Sequence, residues 1–124
     1  MNVTAPISLG ELYDKISILE IKQQRIKDEN KLKHVQKELE SLKSLADLYP
    51  IDADLYNDLK KKNEALWGIE DNIRIKEKRK QYDDIFIRLA RAVYTTNDER
   101  GRIKLEINEK YKSNIVEVKS YEEY

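Results

Sequence analysis

The sequence predicts an all-α protein built on a long antiparallel helical hairpin, coiled-coil-like, with a short C-terminal helix and an extended tail closing its open end. Three observations predict it. Charged residues make up 39% of the 124-residue chain, well above the share of about 25% in an average globular domain. Only 3 Gly and 2 Pro interrupt it, which suits solvated helices with narrow apolar seams. Apolar residues also recur at helical spacing on both sides of Tyr49-Pro50-Ile51-Asp52, back to Leu9 and forward to Val93.

The first arm is expected over 8–48. Ser8-Leu9-Gly10-Glu11 has the S-x-x-E spacing of a capping box, with Ile7 outside it as a staple. Leu9, Leu12, Tyr13, Ile16, Leu19 and Ile26 mark one face, which Ile18 and Ile21 widen. The phase slips at 27–30, where Asp28 can cap a new helix, so this arm is either continuous or broken there. Pro50 has no N–H and disfavours helix in the residue before it, which ends the arm near Leu48.

Asp52 and Asp54 cap a second arm over 53–94, with Leu55, Leu59, Leu66, Ile69 and Ile73 along its seam and Trp67 beside it. A second slip falls at 81–84, where Asp83 can restart a helix carrying Ile85, Phe86, Leu89, Ala90 and Val93. A reversal between Pro50 and Ile51 sets Leu12 opposite Leu89, Ile26 opposite Ile75 and Leu42 opposite Leu59, although the two slips do not face each other. Thr96 and Glu99 repeat the capping-box spacing and predict a last helix over 97–112, with Ile103, Ile107 and Tyr111 on one face. Residues 113–124 are β-prone around Ile115-Val116-Glu117-Val118, and a lone strand is unstable in water, so an extended tail laid on the helices is expected.

The chain reads as a single helical domain. Its charges balance, 24 basic against 24 acidic, and no segment is a basic or acidic tail, so nothing pulls it toward nucleic acid or anionic lipid. Without cysteine it has neither a disulfide framework nor a thiolate metal site. No apolar run reaches the roughly 20 residues of a membrane span, and the first residues lack the pattern of a secretory signal. A cytoplasmic location is expected.

At the open end of the hairpin, Glu11, Asp14, Lys15 and Lys22 from the first arm would meet Arg88 and Arg91, and then Asn97, Asp98, Arg100 and Lys104. Convergence of both signs from three segments can make an anion or small-molecule site, or a structural ion-pair network. The basic run Arg74-Ile75-Lys76-Glu77-Lys78-Arg79-Lys80 lacks interleaved aromatics and reads as a solvated face. Asp52-Ala53-Asp54 with Asp58 fails as a calcium loop, because no Gly takes the sixth place and Asn63 stands where Glu is needed. His34 stands alone, Ser and Thr have no evident base, and no glycine-rich phosphate loop occurs, so no catalytic residue, metal site or cofactor is expected.

Three stretches resemble the blocks of an uncharacterised family of small all-helical proteins of bacteria, marine ones included, and their phages. They are Ser8 to Lys22 (SLGELYDKISILEIK), Leu66-Trp67 with Ile69-Glu70-Asp71, and Ala92-Val93-Tyr94 before Thr96-Asn97-Asp98. The resemblance covers nearly the whole chain and implies no activity. The family's usual proline near the first break is missing, where this chain reads Asp28-Glu29-Asn30. The opening helix is also faintly similar to that of all-helical chorismate mutases, but only Arg25 on the first arm is placed to hold a dianion.

The function expected first is a non-enzymatic interaction or scaffold module. Apolar residues such as Ile18, Ile21, Trp67 and Phe86 exceed what one seam covers, so a homodimer is expected, with a protein partner as a further option. The alternative is a small-ligand or anion-binding protein, sugar-phosphate or nucleotide related, with its site at the open end. Nucleic-acid binding ranks third, and no membrane partner is expected.

Overall fold

The computed structural model describes residues Met1–Tyr124 and contains four helices and no strand. Helix α1 spans Leu9–Arg25, α2 Glu29–Ala46, α3 Ala53–Lys78 and α4 Asp84–Lys110. Each begins at a side chain that accepts an otherwise orphaned backbone N–H. Ser8 accepts from Glu11, Asp28 from Lys31, Asp52 from Asp54 and Asp83 from Phe86, at 2.8–3.1 Å. The last two helices end alike. Lys80 and Lys112 take left-handed conformations, φ 53° and 52°, and the next N–H returns to Lys76 and Asn108 carbonyls at 3.0 and 2.8 Å. This is the Schellman closure, with lysine in the place glycine usually fills.

The chain reverses at 26–28, through Pro50 at 47–52 and again at 79–83, so the reversal expected at Pro50 is one of three rather than the only one. α1 packs on α2, α3 on α4, and α1 also on both α3 and α4, whereas α2 and α3 do not pack on each other. The pairing of arms 8–48 and 53–94, with Leu12 opposite Leu89, is therefore not formed. The apolar stripe of α1 is already used: Leu12, Ile16 and Leu19 bury against Val35, Leu39 and Ala46 of α2. Leu55 and Leu59 of α3 bury instead with Ile107 of α4. Leu59 and Ile107 are fully enclosed, each worth about 1.5–3 kcal/mol relative to exposure.

The helix expected over 97–112 is also corrected. α4 runs unbroken through Thr95-Thr96-Asn97-Asp98-Glu99. Thr95 Oγ1 donates back to the carbonyls of Arg91 and Ala92 at 3.0 and 3.4 Å, which satisfies its hydroxyl inside the helix rather than in a turn.

The link between α2 and α3 is held from outside. Tyr13 Oη donates to the Tyr49 and Ala46 carbonyls at 2.6 and 3.2 Å, and the Asp52 N–H donates to Tyr111 Oη at 2.6 Å. Burial, then the charge of Asp47, raises the Tyr13 pKa. The result is three layers, α2, then α1, then the α3–α4 pair. No helix is long and apolar enough to cross a membrane.

Candidate functional site

α1 has two unlike faces. Opposite its apolar stripe runs a second one at the same helical spacing, small or polar at Gly10, Asp14 and Ser17 and apolar again at Ile21. This stripe lies on α3 and α4. Gly10 is the point of closest approach: a Cβ there would sit 2.5 Å from the Lys104 carbonyl oxygen and 3.0 Å from Asn108 Oδ1. The first three amides of α1 are capped by three different segments. The Leu9 N–H donates to Ser113 Oγ (3.2 Å), Gly10 to Asn108 Oδ1 (2.7 Å) and Glu11 to Ser8 Oγ (3.1 Å).

Behind this contact lies a buried polar network. Asp14, Ser17, Asn63, Lys104 and Asn108 are each at most 5% exposed. Asn63 Nδ2 donates to Asp14 Oδ1 at 2.8 Å and to Ser17 Oγ at 2.6 Å. Lys104 Nζ meets Glu11 at 2.7 Å, Glu117 at 2.8 Å and Asp14 at 3.7 Å. Burial alone would depress the Lys104 ammonium, but Glu11, Glu117 and Asp14 together outweigh it and raise its pKa. The same ammonium holds the Glu117 carboxyl below its ordinary range. Arg100 adds a weak bond to Asn63 Oδ1 at 3.4 Å, lies 3.7 Å from Asp14, and keeps a buried Nε with no hydrogen-bond partner. Three carboxylates thus surround two cations, a balance that does not favour an added anion.

Of the residues expected at the open end, the structure brings together Glu11, Asp14, Arg100 and Lys104. Lys15 stands exposed beside Glu11 at 3.7 Å. Lys22 lies two turns further along α1, about 12 Å from Asp14 along the axis. Arg88 and Arg91 are exposed and do not join: α4 continues unbroken through the turn expected at 95–99, which places Arg91 about 20 Å from Lys104 along one helix. Asn97 and Asp98 line a separate groove with Arg100. Ser17, Asn63, Asn108 and Glu117 belong to the network without having been singled out. The signal for Ser17 was the small polar stripe Gly10-Asp14-Ser17, and for Asn108 its position four residues after Lys104. Nothing local marked Glu117, because its partner lies on another segment.

Residues 113–124 form a strap along α4. Ser113 caps Leu9, Glu117 reaches Lys104, Lys119 lies against Gly101, and the Tyr124 ring packs at a tilt on Tyr94, centroids 4.8 Å apart. The phenol of Tyr124 lies beside Asp98, which raises its pKa. Between the strap and the α3–α4 pair is a groove of about 710 Å³, floored by Leu66, Val93 and Arg100. It continues the channel that α1 fills lower down; on its other side lie Ile18 and Trp67, with Arg25 over the Trp67 ring at 5.9 Å. Beyond it the helices stand alone. No residue between Glu64 and Ile103 is buried, and Ile75, Tyr82, Ile85 and Ile87 are 46–58% exposed.

The chain belongs to a family of unknown function, DUF6165, whose family model matches residues 1–124. No curated protein and no solved structure matches it.

Proposed function

We propose that this protein is a non-enzymatic interaction module that works as a self-associated scaffold. One observation carries the reading. The chain exposes 9238 Å², whereas a compact monomer of 14.7 kDa is expected to expose about 6,900 Å². The difference of about 2,300 Å² exceeds the roughly 800 Å² that each partner contributes to a standard interface. The outer half of α3 and α4 holds no buried residue and exposes Ile75, Tyr82, Ile85 and Ile87, an apolar face that a bare helix pair cannot cover by itself. The zero net charge leaves no overall repulsion between copies.

The anion-site alternative has less support, because Lys104 is enclosed by three carboxylates. Light scattering at micromolar concentration tests the proposal. The expected mass is twice 14.7 kDa, and a monomer across that range would contradict it.

A further inference from the structure

We infer that the occupant of the uncovered α3–α4 face is a second copy of this chain, arranged antiparallel about a two-fold axis, with the basic turn of each copy lying in the partner's tyrosine-lined groove. This inference rests on the scaffold reading and adds the surface and the orientation.

The apolar face continues upward from the groove. Leu66 and Ile73 on α3, with Val93, Ala90 and Phe86 on α4, recur at helical spacing, and none of them is buried. Two such hairpins laid face to face form a four-helix bundle, the ordinary way to bury two incomplete seams. That arrangement leaves the orientation open, parallel or antiparallel, and the charges choose.

The turn after α3 is basic. Arg74 and Lys76 are neutralised by Glu70 at 3.2 Å and Asp83 at 2.8 Å, but Lys78, Arg79 and Lys80 are exposed and form no ion pair within the subunit. A parallel dimer would stack these cations on their own copies, and like charges so placed are repelled. The groove has the opposite character. Asp98, Glu122 and Glu123, with Glu70 already paired to Arg74, line it against the single cation Arg100, together with Tyr94, Tyr121 and Tyr124. Carboxylates beside aromatic faces suit lysine and arginine heads, through ion pairing and cation–π contact.

The spacing closes under two-fold symmetry. The groove spans Leu66 to Glu70 on α3, and Arg79 lies 13 to nine residues beyond them, about 14–20 Å along the helix. An axis midway, near Ile73–Arg74 on α3 and Ala90 on α4, brings each turn to the level of the partner's groove. It also places the apolar stretch from Phe86 to Val93 at the centre. Such an interface is isologous and closes as a dimer, with no open chain of subunits.

Two charge-reversed proteins test this. One carries Lys78→Glu and Arg79→Glu in the turn, and the other carries Glu122→Lys and Glu123→Lys at the groove. Each alone should weaken the dimer at least about tenfold at low salt, with unchanged helical circular dichroism. Mixed together they should form a heterodimer, because each turn then meets a groove of opposite sign. If the wild type dimerises and both variants dimerise equally well, the inference is overturned while the scaffold reading stands; if the wild type is monomeric, both fall.

A measurement on the unreversed charges guards against loss of folding. The chain has no cysteine, so single spin labels at Arg74→Cys and Lys80→Cys are unique. The intersubunit distance should be shorter at position 74 than at position 80, and the reverse order would exclude the antiparallel arrangement.

Discussion

The two halves of the α3–α4 pair are built from one continuous antiparallel contact and have opposite fates. In the lower half, Leu55, Leu59, Asn63, Lys104, Ile107 and Asn108 are buried beneath α1. In the upper half nothing is buried, although Leu66, Ile69, Ile73, Phe86, Leu89 and Val93 supply a comparable apolar seam. A third helix makes the difference. α1 lies in the channel below, then turns away at Ile26 to carry α2. The comparison teaches that two helices with good caps and a matched seam still require a covering layer, and that the lower half is instructive about what the upper half lacks.

The lower half should break most sharply at its charges. Lys104→Met keeps the aliphatic stem but leaves Asp14 buried without its ammonium; loss of one partner of a buried pair costs about 3–5 kcal/mol, readable by urea denaturation. Gly10→Ala should follow, at about 1–3 kcal/mol of overpacking, because the added methyl meets the Lys104 backbone carbonyl rather than a flexible side chain. By contrast, Gly68→Ala has open space around it and should be neutral or slightly stabilising in the same assay.

The upper half should respond with little change in folding. Lys80→Gly relieves a left-handed lysine, φ 53°, and is expected to raise stability by about 0.5–1 kcal/mol. Ile87→Lys, at a side chain 46% exposed, should alter subunit unfolding by no more than about 0.5 kcal/mol, yet weaken self-association measured by sedimentation.

Acid sharpens the comparison through the strap. The folded Glu117 pKa lies below its ordinary value of 4.5, so its contribution is present above 4.5 and is lost as pH falls through the folded value. The Leu9 amide, held by Ser113, should then exchange faster before α2 and α3 lose their protection. Lys104 works in the other direction. Its folded pKa lies above 10.5, so its contribution is full below that pH and is lost only as alkali passes the raised value.

Much of the local structure was legible. Ser8, Asp28, Asp52 and Asp83 are capping residues in sequence and cap in the structure. At Ser8 only half of the capping box forms, because the Glu11 side chain goes to Lys104 instead of returning to the backbone. The arrangement of helices was not legible. Amphipathic stripes match at several offsets, so a register through Pro50 was plausible until the short turns at 26–28 and 79–83 set Leu12 against α2. Of the polar cluster, Glu11, Asp14, Arg100 and Lys104 could be grouped in sequence. Arg88 and Arg91 were misplaced with them, because the turn expected at 95–99, which would have folded them back toward Lys104, is continuous helix. Asn63 and Glu117 became visible only once the helices and strap had been laid together.

Hydrogen exchange followed across protein concentration tests most directly whether the upper half is covered by a second copy. Amides of residues 69–93 should exchange rapidly in dilute solution and become protected as concentration rises, while those around Leu59 and Ile107 stay protected throughout. Upper-half exchange that is independent of concentration would contradict the account.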